Sequence, residues 1–237
     1  MLDYLRARLA QGTPSASVTA DGDTLPSRFR GLPVLDAASA RPVDLGACLF
    51  SPDEASATPG STCAYSRDFR LASSTRAGLV VSGETGPRVV PLAAEMRRLF
   101  GRSLRLRAVS AGSCGGCEAE LAALSNVIFD MARFGIQFVA SPRHADGIVV
   151  TGAVSRNMRD ALRSTYDAVA RPKIVIAVGA CAASGGPFAG SAEVADGVPP
   201  EIPVDLWVPG CPPHPLTMLD GLLRMLGRLD DRRAPGL

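Results

Sequence analysis

The second part of the chain alternates between two hydrophobic patterns. From residue 91 onward, short runs of branched apolar residues are separated by longer segments in which apolar residues recur every three or four positions. The first pattern is typical of strands and the second of helices. The run over residues 174–178 is apolar at every position, which is typical of a strand buried on both faces of a parallel sheet.

This alternation predicts strands separated by helices. The predicted strands cover residues 106–109, 136–139, 147–151, 174–178 and 204–208. The predicted helices cover residues 91–100, 118–134, 157–170 and 215–229, with Gly135 placed to end the second. Strands that alternate with helices imply right-handed crossovers and an open, mostly parallel sheet with helices on both faces. We therefore predict an α/β fold for residues 91–237.

The earlier residues lack this periodicity. Residues 12–90 are rich in Ser, Thr, Ala, Gly, Pro and Asp and contain only short apolar runs. Such a segment is expected to form a small, loop-rich module. Ahead of it, residues 1–11 place three leucines at the spacing of a short amphipathic helix, docked on the domain or on a partner. The sequence thus predicts two units, residues 1–90 and 91–237.

Composition and charge exclude several classes of protein. The chain has 237 residues, 46% of them hydrophobic, which is enough for one substantial core and a smaller appendage. Its 25 basic and 23 acidic residues indicate neither nucleic acid binding nor attraction to an anionic membrane. No run of about 20 apolar residues predicts a bilayer-spanning helix. The first residues do not resemble a signal peptide, and six cysteines without one indicate a reducing compartment, expected to be the cytoplasm.

Four of the six cysteines follow predicted strands. Cys114 and Cys117 follow the first strand, Cys181 the fourth and Cys211 the fifth. A Cys-x-x-Cys pair alone also fits a thioredoxin-like dithiol or two thiols that never meet. Ligands of open parallel sheets bind beyond the carboxyl ends of the strands, so the thiols are expected at one sheet edge, where they can hold a [4Fe–4S] cluster or zinc. The four cysteines come from three loops that are far apart in the sequence, which favours the cluster. Structural zinc usually draws its ligands from two short, paired knuckles.

The residues around the cysteines suit a bulky inorganic ligand. The glycines between Cys114 and Cys117 permit the unusual dihedrals of a tight chelating loop. Small residues after Cys181 leave space for an inorganic core and free backbone N–H groups for its sulfides. Two prolines after Cys211 rigidify that loop. His214, just beyond them, is either a hydrogen-bond donor to the site or an ordinary turn histidine.

Three motifs resemble the ligand set of one known family. They are Cys114-Gly-Gly-Cys117-Glu118, Gly179-Ala-Cys181-Ala-x-Ser-Gly-Gly186 and Pro209-Gly-Cys211-Pro-Pro213, and residues 151–158 form a further similar segment. This family joins the small subunits of membrane-bound, energy-converting [NiFe] hydrogenases of the formate hydrogenlyase type to the B subunit of respiratory complex I. The resemblance covers about residues 91–230. It implies a flavodoxin-like fold holding one [4Fe–4S] cluster on the four motif cysteines, next to the active site of a large partner subunit.

The spacing of the first two cysteines separates the branches of this family. The complex I type has two adjacent cysteines at this point, whereas the hydrogenase type separates them by two residues and follows them with an acidic residue. Cys114, Cys117 and Glu118 resemble the hydrogenase pattern. The resemblance therefore implies an electron-transfer subunit of a [NiFe] hydrogenase complex, in which the large subunit carries out the bond making. Its other partners would be a ferredoxin-like iron–sulfur subunit and membrane subunits that hold the complex on the inner face of the cell membrane.

Two other functions remain open from the sequence. A complex I-type quinone oxidoreductase would use the same electron transfer, with a partner that resembles the D subunit of complex I. A non-redox assembly scaffold would hold zinc on the four cysteines. Glu118 also has two interpretations. The helix dipole favours a carboxylate at the start of a helix, whereas in the related hydrogenases a glutamate here is implicated in moving protons to and from the nickel site.

The N-terminal residues resemble a second protein class. Residues 29–33, 43–50 and 63–69 are similar to a two-cluster ferredoxin module that some members of this group carry ahead of the hydrogenase domain. That module needs four cysteines for each cluster, but only Cys48 and Cys63 are present, outside any tight Cys-x-x-Cys-x-x-Cys run. We therefore predict that residues 1–90 are a degenerate ferredoxin-like module without clusters, kept for docking to neighbours.

Overall fold

The structure is a computed structural model and describes residues 2–12, 15–18, 25–35, 42–51, 64–82 and 86–229. Before residue 86, the described ranges contain α1 (Leu2–Gln11), β1 (Pro33–Val34), β2 (Val43–Asp44), β3 (Ala64–Tyr65), a 3₁₀ turn (Ala77–Leu79) and β4 (Val80–Val81). β1 pairs antiparallel with β3, and β2 with β4. These short elements agree with the predicted loop-rich module, which is called the N-terminal module below and comprises the described residues between 25 and 82.

α1 is the short helix predicted at the start of the chain. Its leucines, Leu2, Leu5 and Leu9, are all exposed. This face of the helix therefore does not pack on the described part of the chain. Cys63, one of the two cysteines of the predicted ferredoxin-like module, lies outside the described residues.

From residue 86 onward, helices and strands alternate as predicted. They are α2 (Ala94–Phe100), β5 (Leu104–Ser110), α3 (Gly116–Ala123), β6 (Ile136–Phe138), β7 (Gly147–Thr151), α4 (Arg156–Ala168), β8 (Ile174–Val178), α5 (Ala180–Ser184), β9 (Leu206–Val208) and α6 (Pro215–Met225). Further 3₁₀ turns lie at Met131–Phe134, Pro142–His144 and Gly186–Phe188. Among the described residues, no helix combines the length and the apolar character needed to cross a bilayer.

The five strands of the main sheet lie in the order β6-β5-β7-β8-β9, and every neighbouring pair is parallel. Counted along the chain this order is 2-1-3-4-5, which is the flavodoxin-like arrangement of doubly wound sheets. All residues of β7 and β8 are buried, as the apolar run over residues 174–178 predicted. The predicted flavodoxin-like α/β fold is confirmed.

Helices cover both faces of this sheet. On one face, Leu106 and Ile176 belong to an apolar cluster with residues of α3 and α6. On the other face, Ile148 and Val175 pack with Leu162 of α4. Because successive side chains of a strand point to opposite faces, neighbouring residues of one strand enter different halves of the core. The sheet is thus a rigid support whose strand ends can carry functional loops.

The helix predicted over residues 118–134 is wrong in length. α3 ends at Ala123 and the chain then turns. The side chain of Asn126 accepts hydrogen bonds from the backbone N–H groups of Ile128 and Phe129 at 2.8 and 3.0 Å, and such local bonds compete with helix hydrogen bonds. Asp130 has a φ of 42°, a left-handed conformation that does not fit a helix. The other predicted elements are present with ends shifted by a few residues.

The N-terminal module shares its small core with the main sheet. Leu45, Leu71 and Leu79 are buried in a cluster that also contains Ala183 of α5 and Trp207 of β9. The backbone continues this contact, because the N–H of Ser73 donates to Trp207 O at 2.9 Å and the N–H of Trp207 donates to Ser73 O at 2.8 Å. The module is therefore packed against the edge strand β9 and against α5.

Replacing Leu79 by alanine should test this shared core. Leu79 is 0% exposed, so Leu79→Ala should lower the free energy of unfolding by about 2–5 kcal/mol. Trp207 is the single tryptophan of the chain, and its fluorescence and the far-UV circular dichroism should follow one common urea transition, moved to lower urea. Leu99→Ala, at a side chain 60% exposed, should hardly move it. A fluorescence transition separate from the far-UV transition would contradict a shared core.

Candidate metal centre

The predicted ligands lie at the carboxyl ends of three parallel strands. Cys114 and Cys117 follow β5, Cys181 follows β8 and Cys211 follows β9. We call the segments after β5, β8 and β9 the first, second and third ligand loops (residues 113–118, 179–187 and 209–214). Since all the strands are parallel, the three loops leave the same edge of the sheet. The thiol of Cys117 interacts electrostatically with the other three cysteines, so the fold brings the predicted ligands together.

The second ligand loop contacts the two others through its first residues. The N–H of Gly179 donates to Val208 O and that of Ala180 donates to Gly210 O, both at 2.8 Å. A Cβ atom on Gly179 would lie 2.6 Å from Cys117 Sγ, a separation that real Cβ atoms do not show. Gly179 also has a φ of 92°, which favours glycine. The close approach of these loops therefore depends on a residue without a side chain.

The thiols differ in their access to solvent. Cys117 and Cys181 are buried, whereas Cys114 and Cys211 are exposed. A Cβ atom on Gly186 would lie 2.9 Å from Cys181 Sγ, so the backbone of the second loop packs directly on this sulfur. The site thus has a buried side within the sheet edge and an open side at the protein surface.

Burial and mutual repulsion keep the inner thiols protonated. Burial raises the pKa of Cys117 to about 12, and the neighbouring charges of Glu118 and the other three cysteines add to the effect. Burial also raises the pKa of Cys181, with further contributions from Cys211 and Cys114. A thiol in such a place ionises when a cation binds it, and binding then releases the proton. The donor set therefore suits a strongly bound, positively charged metal group.

The four cysteines share an edge of the sheet and interact with one another. Within the described ranges, no group of three His, Cys, Asp or Glu side chains is placed to hold a single metal ion.

Glu118 lies in the first turn of α3 with its two carboxyl oxygens in different surroundings. Oε1 accepts hydrogen bonds from the hydroxyl groups of Ser113 and Thr151. Oε2 is buried and has no hydrogen-bond partner among the described residues. Burial by itself would raise the pKa of Glu118, but the hydrogen bonds from Ser113 and Thr151 outweigh it and the pKa lies below its ordinary value.

Ser113 and Thr151 were not recognised from the sequence as partners of Glu118. Thr151 is the last residue of β7, a strand that contributes no cysteine to the site. Both residues border the sequence motifs, since Ser113 precedes the first motif and Thr151 begins the similar segment over residues 151–158. Their position could have been suspected, but their contact with one carboxyl oxygen depends on the packing of β7 beside β5.

His214 caps the helix that follows the third ligand loop. Its Nδ1 accepts a hydrogen bond from the N–H of Leu216 at 3.2 Å, and its ring packs edge-on against Phe29 and Phe129 at 5.4 and 5.8 Å between centroids. Burial lowers the pKa of His214. These contacts agree with the structural interpretation of this histidine. An open cavity of about 440 Å³ lies beside it, lined by residues of the third ligand loop and of the N-terminal module.

Comparison with known proteins identifies the family. The sequence profile described as NADH ubiquinone oxidoreductase, 20 Kd subunit, matches residues 114–225. The B subunit of NADH-quinone oxidoreductase from Heliobacterium modesticaldum is 44% identical over 122 residues, which cover 51% of this chain and 70% of that protein. The chain belongs to the 20 kDa subunit family. The family predicted from the cysteine motifs is thereby confirmed.

The chain is also similar to subunits of other complexes. Formate hydrogenlyase subunit 7 of Escherichia coli is 39% identical over 162 residues, which cover 67% of this chain and 64% of that protein, less than two thirds of its length. A solved chain of the membrane-bound sulfane sulfur reductase, an archaeal respiratory membrane complex, is 29% identical with a TM-score of 0.51 and covers 61% of this chain and 80% of its own. These relatives are oxidoreductase subunits, and so is this member of the 20 kDa subunit family.

Thiol alkylation should distinguish the two sides of the site. In the full chain purified without metal, iodoacetamide should modify Cys114 and Cys211 first, because both are exposed. Cys117, whose pKa is raised to about 12, should react at least about tenfold more slowly, since each pKa unit is a tenfold change in thiolate fraction. Cys181 is buried and its pKa is also raised, so it should react more slowly than the exposed pair. Peptide mass spectrometry over time gives the order, with the urea-unfolded chain as the reference for equal reactivity. Fast modification of Cys117 in the folded chain would contradict the described burial.

Proposed function

We propose that this chain is an electron-transfer subunit that carries one [4Fe–4S] cluster on Cys114, Cys117, Cys181 and Cys211. The meeting of these four thiols, from three strand ends, at one sheet edge is the observation that carries the proposal. When bound, such a cluster supplies reversible one-electron transfer. The bond-making site would lie in a large partner subunit, as in a membrane-associated [NiFe] hydrogenase complex.

The origin of the ligands in three distant loops supports a cluster over zinc. Structural zinc sites usually draw their ligands from short paired motifs around one ion. A cubane has one thiolate on each of four iron atoms, so it suits thiols that come from three loops. A side chain on Gly179 or Gly186 would press on a ligand sulfur, so both positions leave room for a metal group of either kind.

The chain's own residues define an inner and an outer side for electron transfer. Cys117 and Cys181 are buried and keep water away from one side of the site. Cys114 and Cys211 are exposed and would face a docked partner. Burial and backbone N–H groups near the sulfurs are the means by which a protein adjusts the potential of such a group.

The hydrogenase branch is supported by the first ligand loop. Two residues separate Cys114 from Cys117 and an acidic residue follows, which resembles the hydrogenase pattern. The partners would then be a large nickel-containing subunit, a ferredoxin-like iron–sulfur subunit and membrane subunits that hold the complex on the inner face of the cell membrane. In a complex I-type quinone oxidoreductase the large partner would instead resemble the D subunit of complex I.

Purification of the complex through an affinity tag on this chain tests the proposal. We expect nickel in a co-purifying large subunit, hydrogen-dependent dye reduction and an electron paramagnetic resonance (EPR) signal of a reduced cluster. Quinone reduction without nickel would favour the complex I alternative. Zinc in the site with no acid-labile sulfide would overturn the proposal in favour of the assembly scaffold.

Iron counting on the full chain, reconstituted alone without oxygen, completes this test. About four irons per chain are expected, the content of a single cubane, and about eight would contradict the prediction that the N-terminal module has no cluster. Gly179→Ala should lower the bound iron, because its Cβ would lie 2.6 Å from Cys117 Sγ. Gly190→Ala is the matched control, since Gly190 also has a positive φ but has no atom within 4 Å of an added Cβ.

For Glu118 we infer a role in proton transfer to and from the large subunit's active site. Ser113 and Thr151 fix Oε1, whereas Oε2 is buried and without a partner among the described residues. Because the pKa of Glu118 lies below its ordinary value, the group rests as a carboxylate, and Oε2 is the oxygen that would accept a proton beside the first ligand loop and then pass it on. A helix-start carboxylate without such a role would need no buried, unpaired oxygen.

Glu118→Gln should separate the two roles. The glutamine amide keeps an oxygen that accepts from the hydroxyl groups of Ser113 and Thr151, but it does not take up and release a proton as a carboxylate does. Hydrogen turnover should therefore fall by about 10²–10⁴-fold. The EPR signal of the cluster should remain. Glu120→Gln, in the same helix α3, is the control and should keep turnover. Full turnover in Glu118→Gln would show that the residue only begins the helix.

A further inference from the structure

α5, the short helix that carries Cys181, has a hydrogen-bond donor within reach of four of its five carbonyl groups. The donors are Ser184 Oγ to Ala180 O at 3.1 Å, Gly185 N to Cys181 O at 2.9 Å, Val198 N to Ala182 O at 2.9 Å and Arg76 Nε to Ala183 O at 2.8 Å. The last carbonyls of a helix have no partner within the helix and need one elsewhere. The first three donors belong to residues 86–229, which contain the main sheet, whereas Arg76 comes from the N-terminal module.

All three nitrogen atoms of the Arg76 guanidinium donate hydrogen bonds in this contact. Nε donates to Ala183 O, while Nη1 and Nη2 donate to the two carboxyl oxygens of Asp44, both at 2.7 Å. The three N–H groups lie in one plane, so the direction of the fork on Asp44 fixes the direction of the bond to Ala183. A lysine ammonium is a point charge with tetrahedral donors and cannot reproduce this arrangement.

Gly46 takes part in the same contact. The one hydroxyl hydrogen of Ser184 has two acceptors within reach, Gly46 O at 2.9 Å and Ala180 O at 3.1 Å, so the segment that holds Arg76 also contacts the end of α5. A Cβ atom on Gly46 would lie 2.6 Å from Arg76 Cζ and 2.7 Å from Nη1. The guanidinium therefore lies against the bare backbone of Gly46. Ala183 is packed on the core of the N-terminal module as well.

These contacts reach the thiol of Cys181 within one helical turn. Cys181 lies two residues before Ala183, and its sulfur packs against Gly186 on the other side of the loop. α5 has only five residues, so a shift of its last turn moves the whole helix. One of the anchors of the helix that carries Cys181 thus lies in the N-terminal module.

We propose that Arg76, oriented by Asp44 and Gly46, is a positioning residue for the Cys181 thiolate. The proposal rests on the function proposed above, in which Cys181 is a cluster ligand. It gives the N-terminal module a role within its own chain: the module holds the second ligand loop in the geometry that the cluster needs. Partners that orient metal ligands typically change metal affinity by about 10–100-fold when they are replaced.

Two variants test this in the complex purified through a tag on this chain. Arg76→Lys keeps the positive charge and removes the planar fork. Gly46→Ala keeps Arg76 and Asp44 and displaces the guanidinium, which is the flexible end of a side chain and can move without unfolding the protein. Both should release iron to a chelator about tenfold faster than the unchanged protein. Both should also shift the g values and the midpoint potential of the cluster's EPR signal, which a loss of stability alone would not do.

Arg70→Lys is the matched control. Arg70 forks onto both carboxyl oxygens of Asp68 at 2.7 and 2.8 Å, lies in the same module and is exposed to a similar degree, 33% against 31% for Arg76. Its fork binds a residue of its own segment and not a ligand loop, so its EPR signal should match that of the unchanged protein.

The outcomes separate this inference from the function on which it rests. If Arg76→Lys and Gly46→Ala match Arg70→Lys in iron release and in EPR signal, Arg76 does not position Cys181 and the inference is overturned. If the unchanged complex has no iron–sulfur signal from this chain, the proposed function itself fails, and the inference fails with it.

Discussion

The parallel direction of the five strands is the constraint on which the rest of this structure depends. A parallel sheet sends all its carboxyl ends to one edge, so loops that are far apart in sequence begin close together in space. Cys114 and Cys211 are far apart in the chain, yet they reach the same site because β5 and β9 run in the same direction. A single antiparallel strand among β5, β8 and β9 would move one thiol to the opposite edge.

Strand direction alone brings the ligand loops near each other. Glycines at two positions of the second ligand loop then allow its backbone to lie directly against the cysteine sulfurs. Gly179 and Gly186 each lie where a Cβ would meet a cysteine sulfur. The thiols therefore have backbone on their inner side, which supplies N–H groups, and few side-chain atoms that would compete for the space of a ligand. The same closeness explains why burial and mutual repulsion raise the pKa of both Cys117 and Cys181.

The sequence predicted the strands, their mostly parallel direction and the sheet edge on which the cysteines lie, because these depend on local apolar runs and on a general rule of topology. It did not predict where α3 ends, since Asn126 and Asp130 act through hydrogen bonds and dihedrals that periodicity does not contain. It also did not predict the partners of Glu118 or the contact of Arg76 with α5. Thr151 and Glu118 are 33 positions apart in the chain, and Arg76 and Ala183 are 107 positions apart. Only the packed fold defines such contacts.

The packing of the N-terminal module indicates a role within its own chain that needs no cluster in the module. Here the core of the module contains Ala183 and Trp207, so its loss would expose the edge strand β9 and leave Ala183 O on α5 without its donor. The positioning role proposed for Arg76 would therefore depend on the apolar residues of the module together with Asp44, and it would need no cysteines in the module.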